Sequence, residues 1–223
     1  MSETYIRRLD FCDSFYLNRR LFAKHGYSVA LLARGANEVN KIADEINGSG
    51  GHVSYASSCS SSFNHSLIQA APFTVPSYSD DHIASAWEAV HAKLPKPEYI
   101  IRVALFNVAH GVWKPFLDIT PQDVQDCLQI NVAAAFSFTR GATLAFKDND
   151  IEQPNGKRGT LIFTGATSSA RGNAVSSAFA ACKFGTRALS QSLAKEFGKE
   201  NIHIAHVRLS HFLSPRRLIR LTL

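Results

Sequence analysis

The sequence has no long apolar run and few cysteines, and these absences exclude several classes of protein. No stretch approaches the ~18 consecutive apolar residues of a membrane-spanning helix. The first residues, MSETYIRRLDF, lack the apolar core of a secretory signal. The four cysteines lie far apart without a Cys-x-x-Cys pair, which argues against a disulfide framework and against a zinc site. We therefore expect a cytoplasmic protein with no membrane contact and no bound metal.

The chain carries a net charge of +6, and most of this excess lies at its two ends. The last sixteen residues hold four arginines and no acid, and the first twenty hold four arginines against three acids. A nucleic-acid-binding surface more often spreads its basic residues over one folded face. We therefore expect no nucleic-acid partner.

Length and composition fit a globular α/β domain. A chain of 223 residues with 45% hydrophobic content can bury a sizeable core. Continuous apolar runs, which predict strands buried on both faces, alternate with segments of helical spacing. The predicted strands are 27–34, 71–75, 100–106, 161–163 and 202–207. The predicted helices are 38–47, from residue 79 or 80 to 94, 120–146, and from about 175 to 197.

The stretch from Gly159 to Gly185 carries most of the candidate chemistry. Its sequence, GTLIFTGATSSARGNAVSSAFAACKFG, predicts a short buried strand, then a loop rich in hydroxyl groups, then a helix. Phe179 and Lys183 are four residues apart on that helix, so both lie on one face. The strand, loop and helix resemble the active-site segment of the short-chain dehydrogenase/reductase family.

The resemblance assigns roles to several residues. In the family a tyrosine stands four residues before a lysine; the ammonium lowers the phenol pKa and holds the cofactor ribose, and the phenol is the acid or base in hydride transfer. Lys183 stands at the lysine position, and Phe179, which has no transferable proton, stands at the tyrosine position. The small residues around Phe179 look like a divergent branch in which phenylalanine is the resident side chain.

Two further roles follow from the resemblance. Ile130-Asn131-Val132 looks like the segment in which the asparagine and its disturbed backbone hold a relay water, so Asn131 would act in proton transfer. A side chain turned to solvent is the alternative reading of Asn131. Thr167 or Ser168 would hydrogen-bond the substrate oxygen, and the choice between them stays open because the loop is shorter than in relatives.

The resemblance also implies a cofactor. Ala33 stands where dinucleotide-binding folds that prefer NAD place an acid, and Arg34 follows it, which suits the additional phosphate of NADP. An ordinary solvated arginine at a strand end is the alternative. Asn107 begins a segment, Asn-Val-Ala-His-Gly, that is similar to the family's Asn-Asn-Ala-Gly turn. We expect NADP rather than NAD, with Arg34, Asn107 and Lys183 as the cofactor-binding residues.

Three segments depart from the family pattern. Residues 1–20 contain no glycine, so the turn that lets backbone N–H groups approach a pyrophosphate is missing and cofactor binding is in question. Residues 53–69 are rich in serine and uncharged, which suggests an insertion. Residues 208–223 show no Pro-Gly turn, substrate lid or last strand. Errors in the gene model are an alternative explanation for all three segments.

The expected fold is a doubly wound, Rossmann-type parallel α/β sheet forming a single domain over residues 1–223. It is expected to lack an intact first strand, the glycine loop and the last strand. His203 and His206 are three residues apart in a predicted strand and so lie on opposite faces, which again argues against a metal site. Relatives form dimers and tetramers through two long helices, so the resemblance implies a homodimer or homotetramer.

Three functional hypotheses remain at this point. The first is an NADP(H)-linked oxidoreductase that acts on a small carbonyl or alcohol substrate from a degenerate active site. The second is a catalytically silent relative that binds a nucleotide or serves as a scaffold. The third is a defective gene model whose product does not fold. Family resemblance cannot decide among them, because function depends on the chemistry of the site.

Overall fold

The computed structural model of the chain describes residues 5–7, 22–23, 25, 27–48 and 70–209, with the backbone alone for the first of these ranges. The strands within these ranges are β1 (Tyr5–Arg7), β2 (Val29–Ala33), β3 (Ala70–Thr74), β4 (Ile100–Phe106), β5 (Gly159–Ala166) and β6 (Ile202–Leu209). The α-helices are α1 (Ala36–Gly48), α2 (Asp80–Lys93), α3 (Pro121–Leu128), α4 (Ala134–Lys147) and α5 (Ser177–Phe197).

All of these strands pair in parallel. One hydrogen-bonded sheet has the order β1-β4-β5-β6, and β2 pairs with β3. Strand β1 also lies next to β2, so the strands follow one another across the molecule as β3-β2-β1-β4-β5-β6. This is the strand order of a Rossmann fold. The predicted α/β fold with a parallel sheet is confirmed.

The first strand is short and irregular. The sequence predicted that no intact first strand would form; the described residues Tyr5–Arg7 pair with β4 as a strand of three residues, with a shift of register between Ile6 and Arg7. Backbone groups, which every residue supplies, make this pairing, so the missing glycines after the strand do not prevent it. The predicted loss of the glycine loop and of the last strand, and the predicted insertion, fall outside the described residues.

The largest hydrophobic cluster packs α2 and α4 against β4 and β5. The ring of Phe138 on α4 lies 5.6 Å from that of Phe106 and 5.5 Å from that of Trp87, measured between centroids. Helix α4 approaches α2 closely at Gly141, where a Cβ would overlap the Trp87 indole. Aromatic rings therefore pack the two helices onto this face of the sheet.

Two helix boundaries differ from the sequence prediction. The single helix predicted over 120–146 is α3, then a π-helical turn at Gln129–Ala133, then α4. Helix α5 begins at Ser177 instead of about Val175, because Val175 has a left-handed φ of 55° that a right-handed helix cannot contain. Among the described residues, none of the helices combines the length and the apolar character that crossing a bilayer requires.

Candidate functional site

Two loops meet at the carboxyl edge of the sheet. Residues 107–118 follow β4 and residues 167–176 follow β5, and these parallel strands end side by side. The amide of Lys114 donates to the carbonyl of Val175 at 3.0 Å, which joins the two loops. Open α/β sheets bind their ligands in the crevice at this edge. The candidate site is therefore the crevice between these loops and α5.

Lys183 is buried at the base of this crevice, with a relative exposure of 3%. Its ammonium donates to the carbonyl oxygen of Thr164 at 3.2 Å and to that of Val108 at 3.4 Å. A buried cation needs such partners, because leaving water without them is costly. The side chain therefore connects the ends of β4 and β5.

Phe179 lies one turn before Lys183 on the same face of α5, as the spacing predicted. The ammonium is 5.8 Å from the centroid of its ring, within the range of a cation–π contact. The centroid of the Trp113 ring, a residue that is 59% exposed, lies 5.1 Å from that of Phe179. The position facing the ammonium thus holds an aromatic ring without a hydroxyl group.

Asn131 is fully buried in the π-helical turn, so the alternative in which it faces solvent is wrong. Its Nδ2 donates to the carbonyls of His110 at 2.9 Å and Cys127 at 2.8 Å, and its Oδ1 accepts from the His110 amide at 3.2 Å. The hydroxyl of Thr186 donates to the Asn131 carbonyl at 3.1 Å, which links the turn to α5. Asn131 therefore holds the loop after β4 against the helix that carries Lys183.

The hydroxyl groups after β5 lie in a short 3₁₀ turn, Thr167–Ser169. Thr167 is half-buried and Ser168 is buried. The sequence reasoning left out Ser169, whose Oγ accepts the Ala166 amide at 3.0 Å. The run of three hydroxyl residues was the signal that could have found it. Ser169 is therefore a second buried hydroxyl beside Ser168, in addition to the half-buried Thr167.

His206 on β6 is a second residue that the sequence reasoning did not place at the site. A Cβ on Gly165 would overlap its imidazole, so the ring lies against the beginning of the hydroxyl-rich turn. Burial lowers the pKa of His206, and the positive charges of Arg187 and Lys183 lower it further. A neutral imidazole therefore lies behind this turn near neutral pH.

The region expected to bind a cofactor contains a cavity of about 420 Å³ between the ends of β2 and β3 and the turn joining α3 to α4. The Arg34 guanidinium carbon lies 4.8 Å above the Tyr78 ring at its rim. Asn107, at the end of β4, is buried, and its Nδ2 has no hydrogen-bond partner among the described residues. A guanidinium beside a cavity and an unsatisfied buried donor both fit a phosphate-bearing dinucleotide at this edge.

Sequence comparison now decides the family. A sequence model described as short chain dehydrogenase matches residues 59–217. The chain belongs to the short-chain dehydrogenase family. The match begins inside the segment predicted to be an insertion and continues ten residues beyond Val207, where the resemblance was expected to end.

Two known proteins show how far the likeness to individual short-chain dehydrogenases extends. A short-chain dehydrogenase/reductase of Armillaria gallica is 31% identical over 103 residues, which is 46% of this chain and 37% of that protein. The crystal structure of a short-chain dehydrogenase from Rhodopseudomonas palustris is 25% identical, with a TM-score of 0.70 over 91% of this chain and 84% of that one. The match therefore spans well under half the length of the curated relative.

A metagenomic short-chain oxidoreductase solved in complex with NADP has the same fold. It is 19% identical, with a TM-score of 0.71 over 93% of this chain and 83% of that one. At this identity the likeness concerns the fold alone. The family and its Rossmann-type architecture are thus shown, whereas the roles of the site residues stay predictions.

Proposed function

We propose that this short-chain dehydrogenase is an NADP(H)-dependent oxidoreductase that acts slowly on a carbonyl or alcohol substrate, from an active site that has lost its phenol. The observation that carries the proposal is the buried Lys183 ammonium beside the ring of Phe179, at the carboxyl edge of the sheet. Maintaining a charge in this position costs desolvation energy, which a purely structural site does not require.

The chain supplies groups for holding NADP(H), the cofactor that provides or accepts the hydride. Lys183 would bind the ribose hydroxyls next to the nicotinamide, and Arg34 would bind the additional phosphate at the adenosine end. The unsatisfied amide of Asn107 would donate to the cofactor between them. Arg34 follows β2, Asn107 follows β4, and Lys183 lies on α5, the helix that follows β5. An extended dinucleotide along the carboxyl edge of the sheet would reach all three.

The substrate would lie between the 3₁₀ turn and Trp113. The hydroxyl of Thr167 or Ser168 would donate to its oxygen and orient the reacting carbon. Asn131 is a positioning residue. Its hydrogen bonds to the backbone of His110 hold the loop that carries Trp113. Phe179 forms the wall beside the substrate and excludes water, but it cannot donate a proton.

The degenerate step is proton transfer. Loss of a positioned general acid typically lowers a rate about 10²–10⁴-fold. Water or a hydroxyl of the 3₁₀ turn would have to supply the proton, because the ring of Phe179 beside the ammonium has none to transfer. We therefore expect the enzyme to bind NADP(H) through Lys183, Arg34 and Asn107 but to have a low turnover rate.

The packing of Trp113 on Phe179 also favours a second function, an NADP(H)-binding scaffold without turnover. A ring that covers the position of the missing phenol fills part of the space where a substrate carbonyl would lie. The two functions share cofactor binding and differ only in hydride transfer. A panel of aldehydes and ketones with NADPH separates them.

Replacing Phe179 with tyrosine is the decisive experiment. In F179Y the new phenol faces the Lys183 ammonium, which lowers its pKa, so we expect carbonyl reduction to rise about 10²–10⁴-fold over wild type. The measurements are the rate of NADPH oxidation, followed by absorbance, and the NADPH affinity by fluorescence titration. The control is F184Y, which adds a phenol on the exposed part of the same helix.

Each outcome of this comparison has a defined meaning. A rate increase in F179Y but not in F184Y supports the oxidoreductase with a degenerate site. NADPH binding without turnover in any variant favours the scaffold. Folded protein that does not bind NADPH would contradict both functions.

A further inference from the structure

One valine beside the candidate site has a backbone conformation that valine rarely adopts. Val175, near the end of the loop after β5, has a φ of 55°. It is the third residue of a four-residue turn, which the Ser176 amide closes by donating to the Asn173 carbonyl at 3.3 Å. Turns with a positive φ at this position usually hold glycine or asparagine. Asn201, the other non-glycine residue with a positive φ among those described, is of the usual type, so Val175 is the exception.

The packing of Val175 does little to offset this strain, because the residue is 48% exposed. Its backbone is held by the Lys114 amide, which donates to the Val175 carbonyl at 3.0 Å. Strained residues persist where the surrounding structure fixes them, and they cluster at active sites and ligand-binding sites. An asparagine would fit the same turn with less strain. The valine side chain is therefore better explained by contact with a ligand than by the stability of the fold.

A second exposed apolar side chain lies next to this point. Trp113 directly precedes Lys114 and is 59% exposed. Its indole lies over Gly111, where a Cβ would come within 2.7 Å of Nε1, and its centroid is 5.1 Å from that of the Phe179 ring. That ring lies beside the Lys183 ammonium. Apolar surface therefore continues from the ammonium to the mouth of the crevice.

The size of this surface favours a small ligand over a protein partner. The large exposed apolar residues of the two loops are Trp113, Phe116, Leu117 and Val175. A protein–protein interface needs roughly 20–30 residues on each side. Lys114, between the two exposed side chains, donates to the Asp123 carboxylate, so its charge is paired. The mouth of the crevice therefore suits the apolar body of a ligand whose polar end reaches the ammonium.

We propose that Val175 and Trp113 determine substrate specificity by holding the apolar body of the substrate at the mouth of the crevice. The enzyme would then take ketones, aldehydes or alcohols that carry an extended aliphatic or aromatic group. This inference rests on the proposed function, which places the reacting carbonyl in the same crevice, and it adds the class of substrate. Binding would remove the valine and the indole from water, which favours the complex.

Trp113 itself provides the readout. The chain has two tryptophans, and Trp87 is buried, so in a Trp87→Phe background all tryptophan emission comes from Trp113. Methyl ketones from butanone to octanone are titrated into the free chain and into the chain saturated with NADPH. We expect the dissociation constant to fall about twofold to fourfold for each added methylene. Hydroxyacetone, which has the carbonyl without the apolar body, should bind more weakly than octanone.

Replacing Val175 with asparagine separates ligand contact from strain. In V175N we expect the affinity for octanone to fall about threefold to tenfold, because an apolar contact is lost. We expect the melting temperature to rise by about 2–4 °C, because asparagine tolerates a positive φ. NADPH affinity should stay unchanged. The matched control is Val124→Asn, an exposed valine on α3, which should neither weaken ketone binding nor raise the melting temperature.

Several results would overturn the proposal. One is an affinity that does not increase with the length of the ketone, and another is a V175N protein that binds octanone as tightly as its parent. A lower melting temperature in V175N would show that the valine serves the fold. Self-association that V175N abolishes would assign the residue to a contact between copies. Because the free chain is titrated as well, a failure to bind NADPH contradicts the proposed function and leaves this test intact.

Discussion

At the scale of single residues, Lys183 is the side chain on which the proposed function depends. Its ammonium donates to two backbone carbonyls, that of Thr164 in β5 and that of Val108 just after β4, and these contacts help to offset the cost of burying the charge. Carbonyl oxygens do not neutralise an ammonium, so these two contacts leave its positive charge to attract ligand oxygens. This arrangement suits a group that binds a ribose more than one that only stabilises the fold.

We expect Lys183→Met to weaken NADPH binding about tenfold or more, because a hydrogen bond to a charged group contributes about 1.5–3 kcal/mol. Methionine keeps much of the buried volume, so the fold should persist. The dissociation constant is measured by quenching of protein fluorescence or by calorimetry. Lys195→Met, on the exposed face of the same helix, is the control and should bind as wild type does.

A K183M protein that is folded by circular dichroism and binds NADPH with unchanged affinity would contradict the role of the ammonium. The same result would leave Arg34 and Asn107 as the remaining cofactor-binding candidates. The affinity of K183M therefore tests the role of Lys183 in NADPH binding independently of Arg34 and Asn107.

At the scale of secondary-structure elements, the start of α3 anchors the loop that carries Trp113. Thr120 and Asp123 form a capping box, and Pro121 occupies the first helical turn. Lys114, in the loop after β4, also donates to the Asp123 carboxylate at 2.7 Å and 2.9 Å. One carboxylate therefore caps a helix and holds the loop that contacts Phe179.

This arrangement predicts a pH dependence. The hydrogen bond from Lys114, followed by those from Thr120, lowers the pKa of Asp123 below its ordinary value. A carboxylate with a lowered folded-state pKa stabilises the fold fully above its unfolded pKa of roughly 4, and that stability is lost progressively as the pH falls from there through the lowered folded-state pKa. The Asp123→Asn variant should therefore unfold at a lower urea concentration than wild type at pH 7. The difference between the two urea midpoints should become smaller toward pH 3.

Urea midpoints of both proteins across this pH range are the measurement. The control is Asp118→Asn. Asp118 lies in the same region of the chain, but its carboxylate does not cap a helix. If the urea midpoints of wild type and D123N change with pH in the same way, the charge of the Asp123 carboxylate does not stabilise the fold.

At the scale of the whole molecule, apolar side chains remain uncovered along α3 and α4. Leu128, Phe136 and Leu144 lie on these helices and are 45%, 58% and 59% exposed. Exposed apolar residues grouped on one pair of elements are typical of an interaction surface. The resemblance to the family implies that its long helices form subunit contacts, and we propose a homodimer through this face.

Sedimentation analysis of wild type should show a dimer or a larger homo-oligomer at micromolar concentration. The double variant Phe136→Asp/Leu144→Asp should be monomeric and folded, because two buried carboxylates would oppose association. Phe116→Asp, which replaces an exposed ring outside these helices, should leave assembly unchanged. A monomeric wild-type protein, or a double variant that still associates, would exclude this interface.

The sequence by itself determined the local features of the fold and the family. Runs such as Ile100–Phe106 predicted buried strands, Thr120 and Asp123 predicted the beginning of a helix, and the four-residue spacing placed Phe179 and Lys183 on one face. These features depend on backbone periodicity and on capping within a few residues, and both can be read along the chain.

Tertiary structure alone decided the contacts between distant segments. It placed Trp113 against Phe179, tied Asn131 to His110, and paired the short strand Tyr5–Arg7 with β4. Such contacts depend on sheet register and on how helices pack over the strand ends. No local pattern encodes them, because each requires two segments far apart in sequence to reach the same edge of one sheet.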